Sequence, residues 1–219
     1  MKKSSLHNFD AVIFDIGGVL VRIELSAILK SVSQLSKKSP FELAAIYKHQ
    51  SVLDFEIGKI TEREFHRELE GLLGCPFPYP QFCETWNSIF IGEIEPTVTL
   101  MHALNAQPEL KVGILSNTNC LHLEWMRARL KTFDGIKHFY ASNEIGHRKP
   151  NASAYLYVLE KMGVTPERAV FVDDLSENIT AAKAVGMHGI LATDAAAVRS
   201  GLASLGIFCA ENPASTRII

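Results

Sequence analysis

No run of the chain is long and apolar enough to span a bilayer, which sets an integral membrane role aside. Neither sign of charge dominates: 22 lysines and arginines stand against 24 aspartates and glutamates, a net charge of −2 over 219 residues. That balance generates no field to draw in nucleic acid or an anionic lipid surface, so neither is expected as a partner. Cysteine is scarce, and Cys75, Cys83, Cys120 and Cys209 show no Cys-x-x-Cys spacing. The basic start, Met1 to Asn8, lacks the apolar core of an export signal. Four free thiols in a reducing cytosol are therefore expected, hence a cytoplasmic protein. Internal repeats and low-complexity tracts are missing too. What remains is 47% hydrophobic and 21% charged, enough for one substantial core and a smaller appended unit.

Short apolar runs recur along the chain, each followed by polar residues and a helical pattern. They are Ala11–Phe14, Lys111–Leu115, Phe139–Ala141, Ala169–Val172 and Gly189–Ala192. Plausible helices lie between them at Leu121–Leu130, Ser153–Met162 and Ser176–Val185, the last with Ser176 as its expected N-cap. Strands alternating with helices of this length predict a doubly wound α/β core around a parallel sheet. The stretch from about Glu24 to Glu95 breaks the alternation. Thr61-Glu62-Arg63-Glu64 is a capping box ahead of an amphipathic face of Phe65, Leu69, Leu72 and Leu73. Pro40 opens another short helix, and a helical pattern resumes over Gln81–Phe90 after the breaker-rich turn at residues 74–80. No comparable strand signal occurs there. Residues 23–95 are expected to form a helical cap inserted into a core of residues 1–22 and 96–219.

Four strand ends or loops carry polar residues. Asp15 follows the buried run Ala11–Phe14 and precedes Gly17-Gly18; Ser116-Asn117-Thr118-Asn119 follows the second run. Arg148-Lys149-Pro150 precedes a helix, and Asp173-Asp174 ends the run Ala169–Val172. Each alone reads as a turn, a helix cap or solvated surface. In a parallel sheet the carboxyl ends share one rim, so the four together predict a site. Three carboxylates meeting there repel unless a divalent cation or an ammonium joins them, and their hard oxygens favour Mg²⁺. Lys149 and Ser116 would hold an anion against that metal. The chemistry this suits is phosphoryl transfer onto a carboxylate nucleophile.

On these four motifs the chain resembles the haloacid dehalogenase-like hydrolase superfamily, from about Phe9 to Ala192 and including a cap inserted after the first motif. The resemblance implies a Rossmann-like core and assigns Asp15 as the nucleophile that becomes an aspartyl-phosphate. It gives Ser116 and the amide of Asn117 the phosphoryl oxygens, and Lys149 the neutralisation of nucleophile and phosphate. Asp15, Asp174 and the Gly17 carbonyl would bind Mg²⁺, with Asp173 ligating or supporting through water. More narrowly, the motifs resemble the branch of bacterial sugar-phosphate phosphatases, glucose-1-phosphate phosphatases among them. The substrate implied is a small phosphorylated metabolite, a sugar phosphate first; monomer and homodimer are both left open.

One position departs from the superfamily pattern: Gly17 stands where most of its phosphatases carry a second aspartate as general acid and base. Good leaving groups should suffer little from that loss, and poor ones should depend on a substitute donor. Alternatives are a phosphoglucomutase-like phosphotransferase, a metal-independent 2-haloacid dehalogenase, which the paired acids Asp173 and Asp174 oppose, and a catalytically weak phosphate-binding regulator. Among further candidates, Phe55–Ile60 with its Gly58 turn is a loop that could reach the site. Trp86 and Asn87 are candidates to face the cleft, and His147 to contact phosphate or donate a proton.

Overall fold

A computed structural model describes residues 8–208; the basic start, Cys209 and the tail beyond it lie outside the described residues. Five strands form one parallel sheet: β1 (Ala11–Phe14), β4 (Lys111–Ser116), β5 (His138–Ala141), β6 (Ala169–Asp173) and β7 (His188–Leu191), in the order β5-β4-β1-β6-β7. Every residue of β1 is buried, as a central parallel strand covered on both faces requires. The pleat sends alternate side chains to opposite layers. Val12, Phe14, Val112, Ile114, Val170 and Val172 pack in one core with α6 (Glu95–Asn105), α7 (Cys120–Arg129) and α11 (Ala195–Ser204). Ala11, Ile13, Leu115 and Phe171 pack in a second core with α9 (Ala152–Met162) and α10 (Ser176–Ala184). The expected doubly wound α/β core is present.

Between β1 and β4 the chain runs mostly through five helices: α1 (Ser26–Ser36), α2 (Pro40–Ile46), α3 (Gln50–Glu56), α4 (Glu62–Leu73) and α5 (Tyr79–Asn87). They share their own apolar cluster, in which Phe55, Phe65, Phe77, Phe82 and Trp86 are large buried rings. The capping box is formed as expected: Glu64 N–H donates to the Thr61 hydroxyl at 3.3 Å, and Thr61 N–H to the Glu64 carboxylate at 2.8 Å.

Two details differ from the sequence pattern. Residues 90–93 are not the end of a helix. Strand β3 (Phe90–Glu93) pairs antiparallel with β2 (Val21–Ile23) into a ribbon where the helical segment leaves and rejoins the sheet. Strands this short, with a register shift at Arg22 and Ile23, leave no alternating signature to read. Ser176 is the first helical residue of α10 rather than its cap. Leu175 holds the cap position with no side-chain cap, and its own N–H donates to Asp173 Oδ1 at 2.8 Å.

Candidate active site

The parallel register puts the four motifs at one level. Phe14 lies beside Ile114 and Val172, so Asp15 follows on abreast of Leu115 and Asp173, with Ser116 one residue further. Asp15 N–H still bonds the Val172 carbonyl at 2.8 Å, which fixes its direction as it leaves the sheet. Lys149 is 1% exposed and places its Nζ 2.7 Å from Asp15 Oδ1 and 2.7 Å from Asp173 Oδ2. A buried ammonium needs such partners. Asp173 is wholly buried and saturated: Oδ1 accepts from Leu175 N–H and from Asn178 Nδ2 at 3.0 Å, and Oδ2 from Lys149. Burial raises the Asp15 carboxyl to about 6; Lys149 opposes that rise and Asp173 adds to it. Asp174 is exposed at the mouth, and its carboxyl is raised by partial desolvation and then by Asp173.

Asp15, Asp173 and Asp174 bring carboxylate oxygens within 4.8 Å of one another. Three carboxylates and one ammonium leave a formal charge of −2, which a divalent cation would offset. Because Asp173 spends its oxygens on protein donors, the free hard ligands are those of Asp15 and Asp174. The donor set therefore fits a hard dication. Gly18 is required for this approach: its φ is +68°, and a Cβ there would sit 2.2 Å from Asp174 Oδ2. At Gly17 a Cβ would meet Ile23 Cδ1 at 2.6 Å, so the end of that exposed side chain would have to turn aside for any larger residue.

The loop carrying Lys149 is clamped from β4. Asn117 Nδ2 donates to the Lys149 carbonyl and Asn117 Oδ1 accepts from the Lys149 N–H, both at 2.8 Å. The Asn117 side chain thus positions Lys149, while Ser116 is buried at the strand end. Beside it, the buried Ser142 hydroxyl accepts from Thr118 N–H at 2.9 Å and donates to the Glu56 carbonyl at 2.5 Å. Glu56 Oε2 in turn takes Arg148 Nε at 3.2 Å and Nη2 at 2.9 Å. Gly58, with φ +69°, passes so close to Asn143 that a Cβ would be 2.3 Å from its carbonyl oxygen. The segment around Gly58 does reach the rim.

A cleft of about 460 Å³ lies between these groups and the helical segment, in the range of small-molecule sites. Its far wall is Ile23, Leu25, Tyr47, Val52, Trp86, Ile89 and Phe90, with Glu56 among them. The Tyr47 hydroxyl and the Trp86 indole N–H are buried with no hydrogen-bond partner among the described residues. His122 also lines the cleft but is spoken for. Its Nε2–H donates to the Trp86 carbonyl at 2.9 Å, Nδ1 accepts from Asn119 Nδ2 at 3.1 Å, and burial lowers its pKa to about 4. Asn87 and His147 are not among the lining residues; His147 packs against Tyr157 instead.

The haloacid dehalogenase-like hydrolase family model matches residues 9–186. The chain belongs to the haloacid dehalogenase-like hydrolases. This hydrolase is 31% identical to a sesquiterpene phosphatase of Aspergillus oryzae, over 86% of its own length and 92% of the relative's. It is 26% identical to a D-ribitol-5-phosphate phosphatase of Bacteroides thetaiotaomicron, over 81% and 88%. A solved magnesium complex of a family enzyme from Bacteroides thetaiotaomicron superposes with a TM-score of 0.73 at 25% identity, covering 84% of the hydrolase and 93% of that chain. Among the described residues, no helix is long and apolar enough to cross a membrane, and Cys75, Cys83 and Cys120 are free.

Several residues that build the hydrolase's site carried no motif. Asn178 and Ser142 act through hydrogen bonds to distant partners, which spacing does not encode. Glu56 and Arg148 are 92 positions apart, and only the fold pairs them.

Proposed function

We propose that this hydrolase is a Mg²⁺-dependent phosphomonoesterase acting on a small phosphorylated metabolite through an aspartyl-phosphate on Asp15. The observation that carries the reading is the Lys149 ammonium held between Asp15 and Asp173, with Asp174 beside them in a cleft. Asp15 and Asp174, with the Gly17 carbonyl, would hold Mg²⁺, which when bound supplies an electrophile for the phosphoryl oxygens. Asp15 attacks phosphorus in line with the leaving oxygen; water then releases phosphate from the acyl phosphate. Lys149 offsets charge on the carboxylate and the phosphoryl group, and Ser116 with the Asn117 amide orients it. Asp173 holds Lys149 rather than the metal. Residues 23–95 act as a cap whose wall excludes water and chooses the leaving group.

Two leaving-group classes have support. The D-ribitol-5-phosphate phosphatase relative favours a sugar or polyol phosphate. The aliphatic and aromatic wall of Ile23, Leu25, Val52, Trp86, Ile89 and Phe90 favours an apolar group, as does the sesquiterpene phosphatase relative. The test is hydrolysis of nitrophenyl phosphate with Mg²⁺, with EDTA and with Asp15→Asn, followed by a screen of sugar and prenyl monophosphates. Turnover is expected only with metal and Asp15 together, the variant falling by at least about 10³-fold. Turnover that survives Asp15→Asn, or halide release from a 2-haloacid without metal, would overturn the reading.

A further inference from the structure

The phosphomonoesterase reading leaves one chemical role without a residue, and the cleft narrows who can fill it. In-line attack by Asp15 from the floor sends the leaving oxygen away from that carboxylate, so the proton donor must reach into the cleft. Gly17 offers no side chain. The other titratable groups on the cleft are Asp15, Tyr47, Glu56, His122, Lys149 and Asp174. Asp15 is the attacking group, Asp174 lies with the metal ligands, and Lys149 is locked between two carboxylates. His122 has both ring nitrogens in hydrogen bonds to Trp86 and Asn119. The Tyr47 hydroxyl is itself buried away from solvent, and burial pushes its ionisation higher still, away from the proton exchange that a general acid and then base must perform.

We infer that Glu56 is the general acid and then the general base of this hydrolase, standing on the cap wall in place of the acid missing at Gly17. Its anchorage is that of a functional carboxyl. The carbonyl of Glu56 is fixed by Ser142, its Oε2 is held by Arg148, and its Oε1 accepts no hydrogen bond among the described residues. The charged groups acting on it are Arg148 and, more weakly, Lys149; Ser142 and Asn143 present neutral groups from α8 (Ser142–Ile145), and Asp54 on its own helix is paired with Lys59. Burial outweighs both cations and raises the carboxyl above the usual range, toward the protonated form an acid needs. In the first step Asp15 forms its bond to phosphorus, the ester P–O bond breaks, and the leaving oxygen takes the Glu56 proton. In the second, Glu56 carboxylate takes a proton from water as the water oxygen bonds to phosphorus. The Asp15–phosphorus bond then breaks, phosphate leaves, and both carboxyls return to their starting states.

The inference rests on the phosphomonoesterase reading and is tested apart from it with aryl phosphates of similar shape and graded leaving-group acidity, from nitrophenyl to methoxyphenyl. Glu56→Gln keeps an acceptor for Arg148 and removes the proton. It is expected to cost less than about tenfold in kcat/KM on nitrophenyl phosphate and about 10²-fold or more on methoxyphenyl phosphate, steepening the dependence on leaving group. Equal losses across the series, or none, would overturn the assignment and leave Glu56 a structural partner of Arg148. Should Glu56→Gln fail to fold, Arg148→Gln supplies a second readout. Removing that positive charge raises the Glu56 pKa, so the alkaline limb of kcat/KM for methoxyphenyl phosphate should move to higher pH, and an unmoved limb overturns the inference. Loss of all activity with Asp15→Asn but parallel slopes with Glu56→Gln would keep the phosphatase and discard the acid.

Discussion

At the floor of the cleft, ion pairs and hydrogen bonds of 2.7 to 3.1 Å link Asp15, Lys149, Asp173 and Asn178 and saturate the Asp173 carboxylate. At the roof, Tyr47 and Trp86 bury polar atoms with no partner among the described residues, against aliphatic and aromatic neighbours. A saturated array is pre-organised, so it stabilises charge as it develops without rearranging. An apolar wall with a few unspent polar atoms fixes nothing until a ligand arrives, and orphaned buried groups of this kind each carry a cost that a ligand can relieve. The floor thus specifies a reaction and the roof a substrate. Glu56 is the exception, a charged group of the roof anchored to the floor through Arg148 and Ser142.

Breaking the floor should give the largest effect. Lys149→Met leaves Asp15 and Asp173 facing each other without a cation, and kcat/KM is expected to fall by about 10³-fold on sugar and prenyl phosphates alike. Steady-state kinetics across both classes checks this, and a loss confined to one class would erase the distinction between floor and roof. Next in size is a break in the support of the roof. Phe65 is fully buried and stacks on Phe55 with centroids 4.6 Å apart. Phe65→Ala should cost about 3–5 kcal/mol in denaturant unfolding while leaving Mg²⁺ binding at the floor detectable by calorimetry.

The smallest expected effect lies at the seam, where His122 of α7 holds the Trp86 carbonyl. Burial holds its pKa at about 4, below the ordinary imidazole value of 6.5, so below pH 6.5 the unfolded chain binds a proton that the folded chain refuses. Wild type should therefore lose stability relative to His122→Gln as pH falls from 6.5 toward 4, by about 2 kcal/mol at pH 5. Taking the difference between the two proteins cancels the opposite trend of Asp15, whose raised pKa favours the folded state below pH 6. Equal unfolding midpoints across that range would show that the imidazole is not buried in its neutral form.

The doubly wound core was legible because buried parallel strands and their amphipathic helices repeat a local pattern, as at Ala11–Phe14 and Ala169–Val172. The rim positions of Asp15, Ser116, Lys149 and Asp174 were legible for the same reason: Asp15 and Asp174 follow directly on strands, Ser116 ends one, and Lys149 lies just before a helix. The Val21–Ile23 and Phe90–Glu93 ribbon was not, since two short strands acquire meaning only on pairing. Nor were the pairing of Glu56 with Arg148, the grip of Asn117 on Lys149, the saturation of Asp173, or the approach of the Ile23 side chain to Gly17. Local sequence fixes which way a backbone runs and which side chains it offers to a rim. Which of those side chains meet, and which remain free to act, depends on distances between residues far apart in the chain, and those are set only when the cores pack.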